Sequence, residues 1–115
     1  MAALATNPTK WNDMVLTKTK NLAGIYGFKF YIRGKPWVVS IDSNLLFQNQ
    51  NNPYLVFAQM DTQKETIWGP LYEKAWAKVK GSFDIAEGGY AEMSLRTLTG
   101  APVLRETLSG YTTTA

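Results

Sequence analysis

At 115 residues and 45% hydrophobic content, the chain is long enough for one domain with a real core, or for part of one. It contains neither cysteine nor histidine, which excludes disulfides, thiolate or imidazole metal sites, and any Cys/His or Ser/His mechanism built from this chain alone. The net charge of +3 is uneven, +5 over residues 1–40 and −2 over the rest, yet the lysines are dispersed and no nucleic-acid-binding motif accompanies them, so they read as solvated surface.

Carboxylate or lysine chemistry is what remains open. The nine acidic residues are scattered, without a repeated spacing that would bring two carboxylates to one face. No run approaches the roughly 20 apolar residues of a membrane span, and Met1 to Ala5 is too short for a signal-peptide core. The lack of cysteine fits an intracellular protein, cytoplasmic or cytoskeletal.

In chain order, Met1 to Thr6 is small and apolar and reads as the tail of a helix, which Asn7-Pro8 breaks. Trp11 to Leu16 suggests a short helical turn or an irregular segment, and Thr17 to Ala23 a polar loop. Ile25 to Ile32 then alternates, with Tyr26, Phe28, Phe30 and Ile32 on one face and Lys29 and Tyr31 on the other, as a half-buried strand does. Arg33-Gly34-Lys35-Pro36 supplies a turn, and Trp37, Val39 and Ile41 continue as the second strand of an antiparallel hairpin. Asp42 to Pro53 is a polar connection with Leu45, Leu46 and Phe47 as an apolar anchor. Tyr54 to Ala58 is a continuous apolar run suited to a strand buried on both faces, and Asp61 to Glu65 turns the chain.

The strongest helical signal runs from Glu65 to Gly81. Ile67, Trp68, Leu71, Tyr72, Ala75, Trp76 and Val79 form one apolar stripe. Thr66 is placed to cap the first turn, Pro70 sits where few amides have an intrahelical partner to lose, and Lys78 and Lys80 complement the negative end before Gly81 stops the helix. Such a face predicts core packing, since each of these large rings buries on the order of 150–250 Å², with an exposed binding face as the alternative. Gly88-Gly89 reads as a hinge or a tight turn. Tyr90, Met93, Leu95 and Leu98 predict a second, shorter helix closed by Thr99-Gly100, and the polar residues after Leu108 are expected to fray.

Several of these stretches together resemble the calpain family of papain-like cysteine proteases. The matching pieces are AGIYGFKFYIRGKPW at 23–37, VVSIDSNLL at 38–46, YLVFAQ at 54–59 and IWGPLYEKAWAKVKGSFDIAEGG at 67–89, followed by LTG at 98–100. The resemblance implies an α+β fold: a partial papain-like protease core with an antiparallel hairpin, a third short strand and a central amphipathic helix. It also implies that residues 2–8 end the helix bearing the family's catalytic cysteine, that its histidine and asparagine belong after residue 100, and that Gly88-Gly89 joins two subdomains, 1–87 and an incomplete 88–115. The family's second acid after the hairpin is here Ser43, and a calcium-site glutamate would fall on Thr66, with Glu65 displaced in register. A calcium ion takes about six to eight oxygen ligands, so calcium binding is not carried over.

No catalytic, cofactor-binding or metal-ligating residue is therefore assigned. The expected function is that of a non-catalytic calpain-like module, a binding or structural subunit whose partners are other protein chains and not a nucleic acid or a small-molecule substrate. The alternative is a fragment of an active calcium-dependent calpain-type endopeptidase whose catalytic residues lie outside these residues.

Overall fold

The computed structural model describes residues 6–49, 51–59 and 66–106. The expectations for residues 1–5, for the turn at 61–65 and for fraying after Leu108 lie outside them. Helix α1 is Pro8–Met14, strand β1 Ile25–Ile32, β2 Lys35–Asp42, β3 Phe47–Asn49 and β4 Asn52–Leu55, followed by α2 Trp68–Lys80, the single turn α3 Phe83–Ala86 and α4 Ala91–Thr99. This is the α+β arrangement expected.

Asn7-Pro8 opens a helix instead of only ending one. The Asn7 side chain accepts a hydrogen bond from the Lys10 N–H, and Pro8 takes the first helical position, where its missing N–H has no partner to lose. Beyond α1, Val15 forms an antiparallel bridge with Phe28, and the Gly27 carbonyl accepts from the N–H groups of Leu16 and Thr17. The segment after α1 thus lines the edge of β1 that β2 leaves open.

β1 and β2 pair antiparallel with Tyr26 opposite Ile41, Phe28 opposite Val39 and Phe30 opposite Trp37. The turn is tighter than predicted. Arg33 and Gly34 have φ of 51° and 76° and alone connect the strands, a pair of left-handed residues whose twist suits a two-residue hairpin, so Pro36 joins β2. β3 and β4 form a separate two-stranded antiparallel sheet. The strand expected over Tyr54 to Ala58 starts earlier, ends at Leu55 and is not buried on both faces: Leu55 is buried, Tyr54 and Val56 are exposed, and Phe57 leaves the strand to stack on Phe83 at 4.3 Å. Of the predicted apolar anchor, Leu45 packs against the core, while Leu46 and Phe47 are exposed.

α2 matches the predicted stripe but begins at Trp68. Thr66 is not its cap; Ile67 occupies that position and makes no side-chain cap bond. Gly81 closes the helix as expected, its N–H donating to the Ala77 carbonyl at 2.8 Å. Leu71, Tyr72 and Ala75 meet Tyr26, Phe28, Phe30 and Ile41 in one buried cluster, which Met14 and Val15 close from one side and Leu98 of α4 from another. Ser82 caps α3, its hydroxyl accepting from the Ile85 N–H. At the end of α4, Gly100 has φ 72° and lies against the Tyr31 ring so closely that a Cβ there would stand 2.6 Å from a ring carbon.

Candidate protein-binding face

The aromatic side of α2 is seated on β1 through its rings. Tyr72 stands edge-on to Phe28, with centroids 5.2 Å apart, and is tilted over Phe30 at the same distance. Trp76 contacts Phe30 at 6.0 Å, and Trp68 meets Trp11 edge-on at 4.7 Å. Such ring pairs add about 0.5–1.5 kcal/mol each beyond area burial. The packing role expected of the stripe holds for Leu71, Tyr72 and Ala75, which are buried, whereas Trp68 and Trp76 flank them half-buried.

Lysines fix the other side of the helix. Lys74 donates to the Asp42 carboxylate and to the Asn44 carbonyl, the latter at 2.6 Å, and Lys78 donates to the Ser40 carbonyl at 2.7 Å. The Lys74 ammonium, helped by the Asn44 N–H, holds the Asp42 carboxyl below the usual carboxylate range. Across the molecule, Asp13 of α1 accepts from Lys29 and, at 3.0 Å, from the Tyr31 hydroxyl. Lys29 is the main reason the Asp13 carboxyl lies below its ordinary value.

Two hollows flank the aromatic seam. One, of about 420 Å³, opens between α2 and α4 and is bounded by Trp68, Tyr72, Trp76, Ser94 and Leu98. In its wall Tyr72 is only 3% exposed, and its hydroxyl has no hydrogen-bond partner among the described residues. Burial pushes this phenol well above its ordinary pKa, so it is a neutral donor without an acceptor. An unpartnered buried polar group costs about 1–3 kcal/mol. The second hollow, of about 310 Å³, lies between the residues following α1 and the start of α2, with Trp11, Phe28, Trp68 and Leu71 among its walls and Lys18 and Lys20 among its lining residues.

The chain carries no cysteine or histidine, and among the described residues no group of three carboxylates, cysteines or histidines gathers. Asp42 is held by Lys74, and the Ser43 side chain lies beside Gly24, while Glu65 lies outside the described residues. The sequence pointed to the stripe but not to these hollows. The one trace of the second was the positive excess of the first 40 residues; the isolation of the Tyr72 hydroxyl depends on neighbours distant in the chain and left no trace.

Comparison with known proteins gives this arrangement a family. The profile described as "Calpain family cysteine protease" matches residues 1–112. The "Calpain-type cysteine protease DEK1" of Zea mays is 33% identical over 98 residues, which cover 85% of this chain and 4% of that protein. "Calpain-B" of Drosophila melanogaster is 39% identical over 82 residues, covering 70% of this chain and 8% of its own length. "Calpain clp-1" of Caenorhabditis elegans is 39% identical over 83 residues, 71% of this chain and 10% of that one. The chain thus spans a tenth or less of the length of these relatives.

Proposed function

The chain belongs to the calpain family of cysteine proteases, and on that premise we propose that it is a non-catalytic module of the protease core, a binding or structural subunit within a larger protein assembly. The observation that carries this reading is the absence of cysteine and histidine from all 115 residues. A papain-like mechanism needs a thiolate and an imidazole, and this chain supplies neither. The open, largely apolar groove between α2 and α4, bounded by Trp68, Trp76 and Leu98, supports the binding half of the reading.

Two further features belong to the same proposal. Gly88-Gly89, exposed on both residues with nothing near the Cβ positions, marks the boundary between residues 1–87 and 88–115. The setting is intracellular, in keeping with a chain without cysteine; no helix among the described residues is long and apolar enough to cross a membrane.

The test has two arms. Incubated with a fluorogenic peptide and calcium, the purified chain is expected to show no hydrolysis above the uncatalysed rate. Added to an extract of its native source and fractionated by size, the purified 12.9 kDa chain is expected to elute with other chains. Turnover by the purified chain, or elution as a solitary monomer, overturns the reading.

A further inference from the structure

We propose that the hollow between the segment following α1 and the start of α2 is a docking pocket for an acidic peptide segment of a partner protein, one that carries an aromatic side chain beside carboxylates. The inference rests on the binding-module reading and names the chemistry of the partner. Trp11, Tyr26, Phe28, Trp68 and Leu71 give the hollow an apolar interior. Its volume of about 310 Å³ is at the lower end of the roughly 300–1,000 Å³ typical of ligand sites, which suits one anchoring ring better than an extended ligand. Aromatic anchors in desolvated pockets carry most of the affinity of protein interfaces.

The charge at its border selects what accompanies that ring. Lys18 and Lys20 line the hollow, with hydroxyls from Thr17, Thr19 and Thr66. Among the described residues no carboxylate lines it. Four lysines elsewhere are engaged: Lys29 with Asp13, Lys74 with Asp42, Lys78 with the Ser40 carbonyl, and Lys80 over the Trp76 ring at 5.1 Å. Lys18 and Lys20 are exposed and have no such partner among the described residues. Two exposed lysines lining an otherwise largely apolar hollow attract a carboxylate-bearing segment and repel a basic one. A compact hollow with a single pair of cations, and no extended basic track, favours a peptide over a nucleic acid.

The full 115-residue chain is titrated with a capped tetrapeptide of glutamate, phenylalanine, aspartate and glutamate, read by tryptophan fluorescence and by the indole N–H resonances of Trp11 and Trp68. Saturable binding is expected. It should weaken about tenfold in the double variant Lys18→Glu, Lys20→Glu, less in the neutral Lys18→Gln, Lys20→Gln, and progressively with added salt. Replacing phenylalanine by alanine in the peptide is expected to abolish it. Circular dichroism confirms that the variants fold, both lysines being exposed. Equal binding of a lysine-for-glutamate peptide, unchanged affinity in the double glutamate variant, preference for a single-stranded oligonucleotide, or no saturation at millimolar peptide overturns the inference. A chain that elutes in a native complex yet ignores the peptide loses this pocket and keeps the binding-module reading; a solitary chain that binds the peptide does the reverse.

Discussion

β1 and β2 carry similar alternating patterns and pair residue for residue, yet they end in different environments. β1 buries Tyr26, Phe28 and Phe30, the last with no exposed surface, while β2 buries only Ile41 and leaves Trp37 58% exposed directly opposite Phe30. The difference is coverage. β1 is lined on its far edge by Val15 to Thr17, lies under α2 and meets the end of α4; β2 is the outer strand, and the helix reaches it mainly near Ser40 to Asp42 through Lys74 and Lys78. Alternation selects a face, and only the neighbouring elements decide whether that face is dry.

The largest effect expected from this contrast is at its centre. Phe30→Ala should cost about 3–5 kcal/mol in urea denaturation, as large-to-small changes in packed cores do, whereas Trp37→Ala should cost under about 1 kcal/mol. Comparable losses at the two positions would break the comparison. Next in size, Gly100→Ala meets both a left-handed backbone and the Tyr31 ring, and a loss of about 1–3 kcal/mol is expected. An unchanged melting temperature would show that α4 does not close on β1 as described.

A smaller change has the opposite sign. Tyr72→Phe removes a hydroxyl that has no partner among the described residues while keeping the ring contacts, so the isolated chain should become more stable by up to about 1 kcal/mol. Destabilisation would mean that the hydroxyl is satisfied in solution. The smallest effect belongs to the rim of β1. Asp13 has a folded pKa below its unfolded value, so its contribution is present above about pH 4 and is lost as pH falls through the folded value. Asp13→Asn should flatten the acid limb of the stability profile slightly, because exposed ion pairs contribute little.

Much of this architecture was legible from local pattern. The period-two run in β1, the stripe of α2 and the short helix before Gly100 each follow from residues near one another in the chain. Thr66 failed as a cap because the helix starts two residues later, a choice made by Ile67 and Trp68 seating against the core. Tyr54 to Ala58 read as a buried strand because composition alone cannot tell a run covered on both faces from one that pairs into an exposed hairpin. The hollows and the isolated Tyr72 hydroxyl are tertiary facts. Lys18 and Lys20 looked like any solvated lysines until the fold brought them to one hollow with Trp11, Phe28 and Trp68.

The seat of Gly100 on Tyr31 also sets an order in time. Among the described residues β1 precedes every other strand, and Leu98 and Gly100, which pack against its side of the molecule, lie about 70 residues further along the chain. Contacts so distant in sequence form slowly, since the intervening chain must be gathered before they yield any stabilisation. During synthesis Phe28 and Phe30 therefore emerge before both helices that cover them, and wait first for α2 and then for α4.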